Sequence, residues 1–218
     1  MKKDYTHISV ILDRSGSMKS IRDDVIRGFN SFIDEQKSQP GSATLSLVQF
    51  DSVDSYQVLY DAEALEYIGP LDRSIYAPRS KTPLLDTIGR SIIDLELKLA
   101  RMPTHETPDR IIFVVITDGK ENASREFGRT QVNAMIERKQ NTDGWQIAFL
   151  SADLGAIGEA VNLGVSTDTV MAFDKTAMGM TTSWNSVSSR VSAYRGSQAS
   201  SIAFTDEDRV RQVSPHIA

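Results

Sequence analysis

Asp13, Ser15 and Ser17 stand at alternate positions in Asp13-Arg14-Ser15-Gly16-Ser17, and Asp118 stands in Thr117-Asp118-Gly119. All four are hard oxygen donors with no histidine or cysteine beside them, which is chemistry suited to a hard divalent cation. A compact set with few carboxylates favours Mg²⁺ over a Ca²⁺ cage, with Mn²⁺ and Ca²⁺ as the alternatives. Each motif also has an ordinary structural reading. A serine or aspartate before a helix is commonly an N-cap, and Asp-Gly is commonly a turn. The two readings part on whether the chain brings these side chains to one point.

The elements around them predict that it does. Ile8–Leu12 and Ile111–Ile116 are too continuously apolar for half-solvated strands and read as central parallel strands covered on both faces, and each runs to an aspartate. Residues 43–50 and 55–60, joined by Asp51-Ser52-Val53-Asp54, suit an antiparallel pair at a sheet edge. Met18, Ile21, Val25, Phe29 and Phe32 make the apolar stripe of a first helix. Leu85, Ile88, Ile92, Leu95, Leu99 and Met102 make that of a second, too short for a coiled-coil seam and read as packing on the sheet. Further helices are expected near 129–140, 157–163 and 182–194, and strands at 146–150 and 170–173. This alternation predicts an α/β, doubly wound (Rossmann-like) fold, with a mostly parallel six-stranded sheet, one antiparallel edge strand and helices on both faces. Ligands of such folds sit at the carboxyl ends of the strands, where Asp13 and Asp118 fall. Residues 1–195 are expected to form one domain. The polar stretch from Gly196 opens a flexible tail, 196–218, outside the core, with a short helix that Thr205 would cap with Asp208 as its partner.

Asp-x-Ser-x-Ser after the first strand, Thr82-Pro83-Leu84-Leu85-Asp86 opening a mid-chain helix, and Thr-Asp-Gly after a buried strand together resemble the metal-ion-dependent adhesion site of von Willebrand factor A domains. The resemblance covers about residues 5 to 195. It implies a metal shell of Asp13, Ser15, Ser17, Thr82 and Asp118; taken alone, Thr82 before Pro83 reads as a helix cap. Asp13 to Met18, Thr117 to Ser124 and Phe149-Leu150-Ser151-Ala152-Asp153 further resemble stand-alone A domains of bacteria and their phages. In the wider family the metal's open coordination position takes an acidic residue of a bound protein. The resemblance therefore implies a cytoplasmic, Mg²⁺-dependent protein-binding module whose partner offers a carboxylate, an AAA+ ATPase being one candidate partner. A metal-stabilised, self-associating structural protein is the alternative, with an acid of Asp206-Glu207-Asp208 as a ligand from its own or a neighbouring chain.

Several functions are disfavoured on residue grounds. Phosphoryl-transfer enzymes of the haloacid dehalogenase type need a second acid two residues after the first, and that position is Ser15, so a metal-dependent phosphohydrolase lacks its general acid/base. No nucleophile elbow and no phosphate-binding glycine loop occurs, and the chain is not expected to be an enzyme. With 24 basic and 29 acidic residues in 218, a formal charge of −5 and no long run of one sign, nucleic acid is a poor partner. The absence of cysteine removes disulfides and thiolate sites and suits a reducing compartment. No apolar run approaches the roughly 20 residues of a membrane span. Asp51 and Glu121 are expected as solvated loop acids, with outer-shell roles as the alternative, and Arg14 either meets an anionic partner or is exposed. His7, His105 and His216 form no ligand set, and Trp145 and Trp184 read as packing residues.

Overall fold

A computed structural model describes residues 1–213 of the chain. Its sheet has six strands: β1 (Lys2–Asp13), β2 (Ser42–Phe50), β3 (Gln57–Ala64), β4 (Pro108–Thr117), β5 (Gln146–Ser151) and β6 (Val170–Ala172), in the order β3-β2-β1-β4-β5-β6. Only the β2–β3 pair is antiparallel, and it lies at the edge as expected. The helices are α1 (Arg22–Ser38), α2 (Leu84–Arg101), α3 (Arg129–Asn141), α4 (Leu154–Asn162), α5 (Ala177–Arg195) and α6 (Asp206–Val213).

Alternation along the central strands explains their continuous apolarity. Ile8, Val10 and Leu12 of β1, with Ile112, Val114 and Ile116 of β4, face a core closed by α1 and α5. Ile11 of β1, with Phe113 and Val115 of β4, faces a second core closed by α2, α3 and α4. A strand with a helix layer on each side has no solvent face for polar residues. On the first side α1 and α5 come so close that a Cβ on Gly28 would stand 1.9 Å from the Trp184 ring.

The chain after Arg195 departs from expectation. Ile202 and Phe204 are buried in the first core rather than lying outside it. The Phe204 amide donates to the Asp168 carbonyl at 2.8 Å, and Arg190 pairs with Asp208 at 2.9 Å. Two apolar residues inside a polar stretch too short to show periodicity gave no sequence signal. The expected cap is present: the Thr205 amide and hydroxyl donate to the Asp208 carboxylate at 2.8 and 2.9 Å, ahead of α6. His216 and the end of the expected tail lie outside the described residues.

β1 and β4 are neighbours, in parallel, and from them the chain winds outward in both directions. That is the topological switch point of a doubly wound sheet, where diverging connections leave a crevice at the carboxyl edge. Asp13 closes β1 at that crevice, and Asp118 follows β4.

Candidate metal centre

All five residues named by the resemblance meet at this edge. The Ser17 hydroxyl donates to Asp118 Oδ1 at 2.5 Å and lies 3.0 Å from the Ser15 hydroxyl. Asp13 Oδ1 accepts the Ser15 amide at 2.6 Å, and Asp13 Oδ2 accepts the Thr117 hydroxyl at 2.5 Å. Thr82 reaches the group from the segment before α2: the position a Cβ would take on Gly119 is 3.5 Å from Ser17 Oγ and 3.6 Å from Thr82 Oγ1. Asp13, Ser15, Thr82 and Asp118 are all buried, and the Asp118 side chain is fully so.

The capping reading does not hold for Ser15 or Thr82. Ser15 stands at the N-cap of a 3₁₀ turn, Gly16–Ile21, but its side chain makes no capping bond. Thr82 does not cap α2 either, because the cap position is Pro83 and the first amides are met from elsewhere. Glu121 Oε2 accepts the Leu85 amide at 2.9 Å, and the Ser124 hydroxyl accepts the Asp86 amide at 3.0 Å. The hydroxyls of Ser15 and Thr82 thus make no capping bond, and Ser15 Oγ lies against Ser17 Oγ while Thr82 Oγ1 lies beside Gly119.

Electrostatically the site is a pair of buried carboxylates with one ammonium beside them. Burial pushes the Asp13 carboxyl up to about 7, against the hydrogen bonds from Thr117 and Ser15 that lower it, and the Asp118 charge adds to the rise. Asp118 Oδ2 is buried without a directed hydrogen bond, although the Lys175 ammonium stands 2.5 Å from it. Among the described residues no three or more histidines, aspartates or glutamates gather, so a metal here would depend on hydroxyl oxygens beside two carboxylates. That donor set fits a small, hard, partly hydrated cation. His7, buried beside Thr44, and His105, exposed beside Glu106, lie apart from it.

Behind the donors lies a support that sequence reasoning placed wrongly. Asp51 is buried rather than solvated, and so is Arg14. Arg14 Nε donates to Asp51 Oδ2 at 2.8 Å, Arg79 Nε to the same oxygen at 3.0 Å, and Arg14 Nη1 to Gln57 at 2.5 Å. Burial tends to raise the Asp51 carboxyl, but bonds from the Val53 and Asp54 amides and the two arginines hold it below the usual carboxylate range. The cluster staples three segments together, since the Arg79 amide also donates to the Arg14 carbonyl and the Gly16 amide to the Ser80 carbonyl. Glu121 is likewise no free loop acid; it accepts the Ala123 and Ser124 amides as well as that of Leu85. Asn122 Oδ1 holds the Thr82 amide at 2.9 Å, and Tyr76 Oη donates to the Asp13 carbonyl at 2.6 Å.

Thr117 and Lys175 were missed. Thr117 stood inside the Thr-Asp-Gly motif, and its register beside Asp13 was the available signal. Lys175 follows β6, at the far edge of the sheet, and nothing in its local sequence marks it.

No family model matches the sequence, and no curated protein matches it. Solved structures do match by shape. Proximal thread matrix protein 1 from the mussel byssus, in a form described as having a zinc-occupied MIDAS motif, shares 14% identity with a TM-score of 0.58 over 86% of this chain and 46% of its own. A von Willebrand factor type A protein from Catenulispora acidiphila shares 11% at a TM-score of 0.56, over 87% of this chain and 43% of its own. The manganese-loaded TRAP protein of Plasmodium vivax shares 13% at a TM-score of 0.57, over 87% of this chain and 72% of its own. The chain thus spans less than half the length of the mussel protein, and among its described residues no helix is long and apolar enough to cross a membrane. On topology and likeness together, this chain has the von Willebrand factor A fold.

Proposed function

We propose that the chain is a metal-dependent protein-binding module in which Asp13, Ser15, Ser17, Thr82 and Asp118 hold Mg²⁺, directly or through water, and leave one coordination position for a carboxylate of the partner. The observation that carries this reading is the convergence of five side-chain oxygens from three segments, with the Ser15 and Thr82 hydroxyls released from capping. Metal-loaded structures of the same fold support a divalent cation, and the oxygen-only donor set favours Mg²⁺, with Mn²⁺ as the alternative. When bound, the cation would supply a positive charge that one further carboxylate can complete, and a charge-assisted contact of that kind adds specificity as well as affinity.

The surroundings favour docking. Exposed Lys19, Lys81 and Arg125 stand on segments at the site's edge of the sheet, with Lys120 paired to Asp153 and Glu126 beside Arg125, so the rim of a chain with net charge −5 offers cations to an acidic partner. Exposed Val53 on the β2–β3 connection, with Leu154 and Met178 in the first turns of α4 and α5, lies at the same edge and offers apolar contact beside the polar centre. Asp13 and Asp118 are both committed to the proposed metal shell, and we assign the site to binding rather than to turnover.

The test combines metal and partner. Mg²⁺ should raise the melting temperature of the wild-type protein by several degrees, through binding to the folded state alone. Asp118→Ala should abolish that rise. Proteins captured from lysate with Mg²⁺ should be lost with EDTA and with Asp118→Ala; recovery of the same proteins in all three conditions would refute metal-mediated binding.

A further inference from the structure

We propose that Lys175 is a tethered counter-cation, which neutralises Asp118 in the metal-free protein and must be displaced for metal to bind. The inference rests on the metal reading above and concerns how that site is filled.

Lys175 does not meet Asp118 by chance of a loose side chain. It sits in the connection 173–176 between β6 and α5, and its backbone is fixed on both sides. The Phe173 amide donates to the Ser151 carbonyl at 3.0 Å, and the Thr176 amide to the Asp174 carbonyl at 2.7 Å. The Thr176 hydroxyl caps α5 through the Gly179 amide at 3.1 Å. That turn is so close that a Cβ on Gly179 would lie 2.1 Å from the Asp174 carbonyl oxygen. From this anchor the ammonium lies 2.5 Å from Asp118 Oδ2, while Oδ1 is held by Ser17. The Asp118 side chain is fully buried and that of Lys175 is 37% exposed. The lysine can therefore swing to water, whereas the carboxylate cannot.

Two cations then compete for one oxygen. A buried carboxylate without a counter-charge is costly, so the metal-free fold gains from Lys175. A divalent ion on Asp118 would bring a like charge against the ammonium and drive it outward. Lys175 thus stabilises the apo state and weakens metal affinity, by a factor that coupling energies of this kind put at about tenfold. The same displacement would set a free ammonium beside the metal, ready for an acidic partner.

Mn²⁺ titration followed by electron paramagnetic resonance separates these effects. Lys175→Met should bind Mn²⁺ about tenfold more tightly than wild type, melt lower in EDTA, and lose that deficit in saturating Mn²⁺. Lys175→Arg, which keeps the charge, should stay within about twofold of wild type. Lys120→Met removes a rim lysine that pairs with Asp153 rather than Asp118, and should also stay within about twofold. In the wild type, the Lys175 amine should be protected from acetylation in EDTA and label faster with Mn²⁺. Equal or weaker Mn²⁺ binding by Lys175→Met overturns the proposal, as does an equal gain from Lys120→Met or an unchanged labelling rate. A wild type that binds no Mn²⁺ overturns the metal reading and this proposal with it.

Discussion

Asp51 carries two guanidiniums on one oxygen, and that makes it the residue whose loss should be felt furthest from its own position. Arg14 is 5% exposed at its side chain and meets no other carboxylate among the described residues, so Asp51→Ala would leave a buried cation with only the Gln57 side-chain oxygen. Breaking a buried pair by removing one partner costs about 3–5 kcal/mol. Urea denaturation of Asp51→Ala should show a loss of that order, together with weaker Mg²⁺ binding because Arg14 and Gly16 frame the donor loop. A loss under about 1 kcal/mol would mean that water replaces the carboxylate. The sequence hid this role because a buried ion pair between two loops has no periodicity to read. His7 poses a different residue-scale question, since burial first and the Lys98 charge second lower it from 6.5 to about 4, and its Nε2 has no partner. Between those values the unfolded chain binds a proton that the folded one does not. Stability from this group is therefore complete above pH 6.5 and lost as pH falls toward 4, by about 3 kcal/mol in all. His7→Gln should flatten the acid limb of a stability-against-pH curve; an unchanged slope would assign acid sensitivity to other groups.

At the scale of elements, apolar periodicity was the legible part. Six strands, the antiparallel edge and the two long amphipathic helices could be read because burial on one or both faces leaves a pattern in residue type. Close approach between elements leaves no such pattern, and two helix glycines show the difference. Gly28 in α1 faces the Trp184 ring, which lies between Phe29 at 6.0 Å and Phe32 at 5.6 Å and has little room to move. Gly158 in α4 has nothing within 4 Å of where a Cβ would stand. Alanine improves helix propensity at both by about 1 kcal/mol. At Gly28 overpacking of the ring outweighs that gain, and Gly28→Ala should lose about 1–3 kcal/mol net. Gly158→Ala should gain about 0.5–1 kcal/mol. Opposite signs in thermal melts of the two variants would confirm that α1 and α5 touch through this glycine; a stabilised Gly28→Ala would refute it.

For the molecule as a whole, the site is a consequence of topology. Asp13 and Asp118 are more than a hundred residues apart in sequence and become neighbours because β1 and β4 pair at the switch point. The motif carried enough to single out five side chains that converge, whereas the lysine facing Asp118 follows the edge strand β6 and could be found only in three dimensions. The same long-range dependence governs the C-terminal segment. Ile202 and Phe204 insert into the core that α1 and α5 close, and the Arg209 guanidinium donates to the Val170 carbonyl of the edge strand β6 at 2.7 Å. Deleting residues 196–218 would expose the apolar surface these side chains cover. With about 1.5–3 kcal/mol for each large apolar side chain removed from the core, the truncated chain should lose about 3–6 kcal/mol. It should also associate with rising concentration in light scattering, because an uncovered apolar patch seeks a partner. Phe204→Ser in the full chain should reproduce part of the loss without altering length. Were the truncated chain to keep its urea midpoint and stay monomeric, Ile202 and Phe204 would be resting on the core without contributing to it, and β6 would be held by β5 and α4 alone.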